Sequence, residues 1–316
     1  MTENICQYKL TVMAHSNVAD PPLAFPAFSA VLELFKPVTW FPPMWAFMCG
    51  VVSSGAPLAS HWLLLLGGVA LAGPLVCATS QAVNDWFDRD VDAINEPNRP
   101  IPSGRVPGRW GLGIAIVWTA ISLVFSTLLG LWVFWAALLG LAMSWAYSAP
   151  PLRLKKSGWL GPAAVALSYE GITWFTGAAV MTGGLPSWPI LFLAIAYSLG
   201  AHGIMTLNDF KAVEGDRQMG IHSLPVQLGV ENAALIACTA MALPQIVVII
   251  RLFSWGRPIY AAIIAILVAV QFLLMVRLMR DPRKWAPWYN ATGTTLYVSG
   301  MLIAAFAVRT LAAGAI

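Results

Sequence analysis

Charge is what this chain lacks: Asp, Glu, Lys and Arg make up only 10% of its 316 residues, where soluble globular domains carry about 25%. With 59% hydrophobic residues and a mean hydropathy of +0.73, the composition excludes an ordinary soluble fold and places the chain in a bilayer. Long basic runs are missing too. The formal charge of +4 is spread too thinly to track a phosphate backbone, which excludes nucleic acid as a partner and leaves membrane lipid as the surroundings. Cysteine is sparse: Cys6, Cys49, Cys77 and Cys238 show no CxxC or Cys/His spacing, so they are read as packing residues and not as metal or disulfide ligands. The chain does not begin with an apolar core and a small-residue cleavage site, which argues against a signal peptide. Residues 1–35 are expected to form a cytoplasmic arm, mobile or lying on the surface, ahead of a transmembrane domain over 36–316.

What is present is apolar sequence in lengths that cross a membrane. A hydrocarbon core about 30 Å thick needs about 20 apolar residues in a helix. Such runs fall near 37–56, 61–83, 110–129, 131–148, 160–181, 187–208, 231–252, 258–279 and 288–309, which predicts an all-α polytopic membrane protein of about nine transmembrane helices around a central cavity. Turns such as Ser53-Ser54-Gly55-Ala56-Pro57, Gly183-Gly184-Leu185-Pro186 and Arg257-Pro258 separate them, because a helix in lipid cannot continue through them without losing backbone hydrogen bonds. With the N-terminus cytoplasmic, 15 of the 18 Lys and Arg fall on that side and only Arg251, Arg257 and Arg309 on the other. The positive-inside rule therefore selects this orientation. Nearly all the acids follow the same side, Glu170 excepted.

The acids are not scattered. Asn84-Asp85-Trp86-Phe87-Asp88-Arg89-Asp90-Val91-Asp92 ends the second predicted span, and on a continuing helix Asp85, Asp88 and Asp92 are spaced i, i+3, i+7 and share a face. Three like charges so close persist when a divalent cation neutralises them, and Mg²⁺ held by a few carboxylates offers its remaining positions to substrate phosphates. A solvated, charged helix end is the bland alternative. A similar stretch, Asn208-Asp209-Phe210-Lys211-Ala212-Val213-Glu214-Gly215-Asp216-Arg217, ends the sixth span. Asp209 and Asp216 are i, i+7 there, with Glu214 nearby. Four spans separate the two sites, an even number, so both lie on one side of the membrane. Together they are suited to hold Mg²⁺ around one diphosphate and to stabilise a departing pyrophosphate, which makes Asp85, Asp88, Asp92, Asp209 and Asp216 the candidate metal-binding and catalytic residues.

Anions also need direct partners. Asn98-Arg99-Pro100-Ile101-Pro102-Ser103-Gly104-Arg105 is a breaker-rich loop that would present Arg99 and Arg105, and Tyr147-Ser148-Ala149-Pro150-Pro151-Leu152-Arg153-Leu154-Lys155-Lys156 offers the Tyr147 hydroxyl with Arg153, Lys155 and Lys156. The alternative for these cations is simple anchoring on the positive side. Asn84 and Asn208, which open the acidic stretches, and Glu214 join the candidate substrate contacts. Within the spans, Glu170 is a functional candidate because an acid in hydrocarbon is costly, while His202 is better explained by a structural hydrogen bond. Trp86, Phe87 and Trp174 lie close enough to the polar sites to line a groove for a prenyl tail or to shield a carbocation.

The pattern Asn-Asp-x-x-Asp-x-x-x-Asp at Asn84 to Asp92, with a second acidic cluster after the sixth span, resembles the UbiA superfamily of intramembrane prenyltransferases over nearly the whole chain. Within it, Lys36-Pro37-Val38-Thr39-Trp40-Phe41-Pro42-Pro43-Met44-Trp45-Ala46-Phe47, Asn84 to Glu96 and Ser148 to Lys155 are similar to the chlorophyll and bacteriochlorophyll synthase branch, the bacterial side most of all. That resemblance implies Mg²⁺-dependent esterification of a tetrapyrrole 17-propionate with geranylgeranyl or phytyl diphosphate in photosynthetic membranes, beside other pigment-biosynthesis proteins. One departure stands out: many members carry Asp-x-x-x-Asp as the second motif, whereas Ala212 stands four residues before Asp216, leaving Asp209 and Glu214 to compensate. An ionised propionate is already a nucleophile and needs no catalytic base, consistent with the lack of a His or Ser constellation near the acids. The rival readings are a quinone or haem polyprenyltransferase of the same superfamily and a secondary transporter. Transporters, however, place such acids near the midplane on broken helices.

Overall fold

A backbone in lipid must satisfy its own polar groups, and a helix does this within one segment. The computed structural model describes residues 25–313, and among them every long element is a helix. In chain order these are α1 (Phe28–Leu34), α2 (Phe41–Ser54), α3 (Trp62–Asn95), α4 (Trp110–Leu129), α5 (Leu131–Ser148), α6 (160–182), α7 (Trp188–Asn208), the short α8 (Val213–Gln218) and α9 (Leu224–Leu228), then α10 (Val230–Ser254), α11 (Pro258–Arg280) and α12 (Pro282–Ala313). Seven of the described helices are long and apolar enough to cross a bilayer, namely α3, α4, α5, α7, α10, α11 and α12. The other two expected spans are helical but fall short. α2 has 14 residues behind a 3₁₀ turn at Pro37–Trp40, and α6 is diluted by Tyr169 and Glu170 at its middle.

Two rods depart from plain α geometry. α3 runs 34 residues, roughly 50 Å at 1.5 Å per residue, so its acidic end emerges beyond a hydrocarbon core of about 30 Å. Pro74 lies within a π-turn at Leu71–Cys77, where its carbonyl accepts the Trp118 indole N–H at 3.0 Å. α6 carries a second π-turn at Leu167–Ile172.

Helix contacts run in sequence from α3 through α4, α5, α6, α7, α10 and α11 to α12, and α12 returns to α2. The bundle thus closes on a central cavity of about 800 Å³. Large apolar side chains face outward all round, among them Leu128, Phe253, Ile259 and Leu273, a surface that lipid covers and water would not. Cys49, Cys77 and Cys238 are buried free thiols; Cys6 lies outside the described residues.

The expected arm is only partly open to description, since residues 1–24 lie outside the described range. Its last turn is not loose. The end of α1 and the residue after it deliver Leu34 and Phe35, both buried, into a cluster with Ala78, Ala82 and Val83 of α3. The aromatic groove expected from Trp86, Phe87 and Trp174 is not formed, because none of the three lines the cavity. Trp174 is fully buried, donating its indole N–H to Ser53 Oγ at 3.0 Å and stacking on Tyr197. Phe87 packs edge-on against Trp145, and Trp86 lies under the Arg89 guanidinium. His202 meets the Trp159 carbonyl at 3.2 Å and Thr206, the structural role its sequence suggested.

Candidate active site

The helix continues through the first acidic stretch, as the spacing requires, so Asp85, Asp88 and Asp92 project from one side of α3. They differ in surroundings. Asp85 is 1% exposed and meets Lys36 Nζ at 2.5 Å and Arg99 Nη1 at 3.5 Å. Lys36 occupies a left-handed backbone position, φ 45°, at the turn between α1 and α2, and this turn aims its ammonium at α3. Arg99 also holds Asp92 at 2.8 Å and forms a fork on Glu96. Asp88 pairs with Lys155, has Arg153 at 3.7 Å, and accepts the Asn84 carboxamide N–H at 3.0 Å. One tight turn and two loops therefore bring cations to one helical stripe, which is what like charges in a shared volume require.

The second acidic stretch does not keep a helical register. α7 ends at Asn208, a 3₁₀ turn covers Asp209–Lys211, and α8 begins at Val213. The expected i, i+7 face is lost, yet Asp209 and Asp216 still converge, because the turn folds both toward the cavity. Asn208 is oriented from the last helix: Thr294 Oγ1 donates to Asn290 Oδ1 at 3.2 Å, and Asn290 Nδ2 donates to Asn208 Oδ1 at 2.5 Å. Burial raises the Asp216 carboxyl above its ordinary pKa. Across the cavity mouth burial lowers the Lys155 ammonium, against the Asp88 pairing that favours its charge.

A short backbone stitch joins the two halves. Gly158 N–H donates to the His222 carbonyl at 2.7 Å, and His222 N–H donates to the Lys156 carbonyl at 3.0 Å. The two segments approach so closely that a Cβ on Gly158 would collide with the His222 carbonyl and the Leu224 amide. The loop bearing Lys155 is thereby fixed to the segment following Asp216.

The donor set suits a hard divalent cation: carboxylates and carboxamides, with no thiolate or imidazole. Asp85 Oδ2 is buried without a hydrogen-bond partner, a lone pair directed at nothing the protein supplies. Among the described residues no three acids, histidines or cysteines already surround a single point. The first-site carboxylates are engaged by Lys36, Arg99, Arg153 and Lys155 instead. These residues fit Mg²⁺ in chemistry, with the internal cations as the present counter-charges.

This geometry meets its counterpart in known proteins. Residues 40–299 match the UbiA prenyltransferase family. The chain belongs to that family. It is 58% identical to the bacteriochlorophyll synthase 33 kDa chain of Cereibacter sphaeroides, over 93% of this chain and 98% of that protein. It is 38% identical to the chloroplastic chlorophyll synthase of Oryza sativa, over 87% of this chain and 76% of that protein. Among solved structures, a UbiA homologue from Archaeoglobus fulgidus bound to GPP and Mg²⁺ superposes with a TM-score of 0.69, over 89% of this chain and 99% of that one, at 21% identity, a likeness of fold alone. The chain is accordingly an integral membrane prenyltransferase.

Of the residues singled out from sequence, Asn84, Asp88, Asp92, Tyr147, Lys155, Glu170, Asn208, Asp209 and Asp216 line the cavity. Asp85 sits behind the wall with Arg99 and Arg153 beside the carboxylates they pair. Arg105 and Glu214 are elsewhere: Arg105 grips Glu33 of α1 at 2.5 and 2.8 Å, and Glu214 faces Arg283 at 3.0 Å on the outer surface. Sequence reasoning missed Lys36 as a partner of Asp85, and it missed Asn290 and Thr294. The signal for the latter two was a carboxamide inside a predicted span. Both partners of the Glu33–Arg105 pair are half-exposed, with the Glu33 carboxyl held below its ordinary pKa by the guanidinium. Exposed pairs contribute little, so Glu33→Gln is expected to change prenyl transfer by less than about threefold in steady-state assays.

Proposed function

We propose that this prenyltransferase esterifies the 17-propionate of bacteriochlorophyllide with geranylgeranyl or phytyl diphosphate and releases pyrophosphate. The observation that carries the reaction class is the convergence of Asp88 and Asp92 with Asp209 and Asp216 on one cavity. The 58% identity to a bacteriochlorophyll synthase chain supports the acceptor, and a cavity of about 800 Å³ lies toward the upper end of ligand pockets, about 300–1,000 Å³. In this reading Asp85, Asp88, Asp92, Asp209 and Asp216 hold Mg²⁺, while Asn84, Asn208, Tyr147, Lys155, Arg153 and Arg99 orient the diphosphate. Arg105 and Glu214 lie outside the cavity on exposed ion pairs, with Glu33 and Arg283, and contribute little to the transfer. Bound Mg²⁺ supplies Lewis-acid charge at the diphosphate oxygens.

The propionate oxygen forms the new bond to the allylic C1 as the C1–O bond to the diphosphate breaks, and the electron pair leaves with pyrophosphate. Lys155 and Arg99 oppose the charge that accumulates there. The apolar walls exclude water, which would otherwise take the propionate's place. The charged end faces the cytoplasm of a bacterial photosynthetic membrane, in keeping with the 15 Lys and Arg of that side.

The test is ester formation by the purified protein from geranylgeranyl diphosphate and bacteriochlorophyllide, with Mg²⁺ or EDTA, and with a quinone precursor as competing acceptor. Pigment ester should form with Mg²⁺ and fall by more than about 100-fold in EDTA. Pyrophosphate release with the quinone precursor alone would reject the pigment acceptor and retain the prenyl chemistry.

A further inference from the structure

Among the described residues, Glu170 is the acid in the cavity wall that the diphosphate chemistry leaves unused. It lies 10 residues into α6 from Leu160, roughly 15 Å along the helix, and therefore well below the acids at the charged end. Its side chain lines the cavity, is only 6% exposed, and its Oε2 has no hydrogen-bond partner. No Lys, Arg or His among the described residues forms an ion pair with it. Leaving a buried carboxyl unsatisfied costs more than replacing it by an apolar side chain of similar shape, so the group has a partner that the protein alone does not provide.

The local backbone is built around this side chain. The π-turn Leu167–Ile172 adds a residue to one turn of α6 and displaces the register, the form in which π-turns accompany functional sites. Ser198 of α7 donates to the Ala166 carbonyl at 3.0 Å, so a backbone group at the edge of the turn is satisfied from a neighbouring helix. Beside Glu170, Tyr169 is held from α3, where Gln81 Nε2 donates to its hydroxyl at 3.2 Å. Gln81, Ser80 and Ser168 complete a polar band on this wall.

The three parts of the two substrates fit this band unequally. A prenyl tail is hydrocarbon and offers nothing to a carboxyl group. A diphosphate is anionic, belongs with the cations at the mouth, and would repel a carboxylate. A tetrapyrrole macrocycle has an apolar body with carbonyl oxygens on its rim, and a carboxyl O–H in an apolar pocket is a strong donor to such an oxygen. Resting on the pigment reading above, we infer that Glu170 is the acceptor-recognition residue, donating a hydrogen bond to a rim carbonyl of the tetrapyrrole.

The experiment compares wild type, Glu170→Gln and Glu170→Leu in detergent. The readouts are KM for bacteriochlorophyllide, KM for geranylgeranyl diphosphate, and direct binding of the pigment by fluorescence quenching. Glu170→Leu should raise the pigment KM and dissociation constant about tenfold or more, the usual effect of losing one buried hydrogen bond, with KM for the diphosphate unchanged. That unchanged value also reports an intact fold. Glu170→Gln keeps an N–H donor in the same place and should remain within about threefold of wild type. Unchanged pigment binding in Glu170→Leu, equal loss for both substrates, or a Gln variant as impaired as Leu would each overturn the inference. A wild-type protein that esterifies only a non-pigment acceptor would instead overturn the pigment reading on which it rests.

Discussion

Asp88→Asn should abolish prenyl transfer, lowering kcat by at least about 10²–10³-fold, while the protein remains folded and inserted. The substitution preserves shape and lets a carboxamide oxygen still accept the Asn84 N–H, which now lies 3.0 Å from Asp88, but it removes the negative charge that Lys155 and Arg153 share. The side chain is 21% exposed at the cavity wall, so the lost charge is not deeply buried and folding is largely spared. Asp85→Asn should abolish transfer too, with a larger structural cost. Asp85 is 1% exposed and its removal leaves Lys36 without its close partner; breaking a buried pair typically costs about 3–5 kcal/mol. Steady-state kinetics beside thermal melts separate the two effects. Wild-type turnover in both variants would remove the acids from the mechanism.

The largest effect on stability is expected where α2 crosses α6. A Cβ on Gly177 would fall inside the Phe47 carbonyl, and one on Gly50 would fall inside the Trp174 carbonyl. Both obstacles are backbone atoms of a neighbouring helix and cannot turn away as a side chain could. Small residues at such crossings let helices in lipid approach closely enough for dispersion to hold them, since no hydrophobic force acts between helices there. Gly177→Val should therefore cost more than about 3 kcal/mol, the upper part of the range for overpacking. It should appear as loss of monodisperse protein and a lowered Tm in detergent. Gly113→Ala in α4 is the control, because a Cβ there meets nothing within 4 Å. Equal melting of Gly177→Val and wild type would show that the crossing tolerates separation.

How much of the site could be read from sequence differs by element. The Asp85, Asp88 and Asp92 stripe was legible because it lies on one continuous helix, where spacing alone sets direction. The second stretch was legible as acidic but not in its geometry. Its i, i+7 expectation assumed a helix, whereas the chain turns through a 3₁₀ segment at Asp209–Lys211, and only the stitch between Gly158 and His222 shows how the loop carrying Lys155 is fixed to this segment. The tryptophans misled for a related reason. Trp174 stands one turn beyond Glu170, where regular α spacing would give it the same face, but after the π-turn at Leu167–Ile172 it packs on Ser53 of α2 and Tyr197 of α7 and does not line the cavity.

By itself the sequence determined that the chain is a helical membrane protein of a prenyltransferase family, with its ionic chemistry gathered at one end. Hydropathy, charge asymmetry and helical spacing are local properties, and lipid leaves the backbone few other choices. Only the tertiary structure decided which charges meet. Lys36 and Asp85 are 49 residues apart in the chain, and Asn208 and Asn290 are 82 apart. The pairing of Asp88 with Lys155, the burial of Trp174 and the exposure of Arg105 to Glu33 have the same origin. Periodicity describes which face a residue takes on its own helix, whereas the partner across that face is set by how helices pack around a shared cavity.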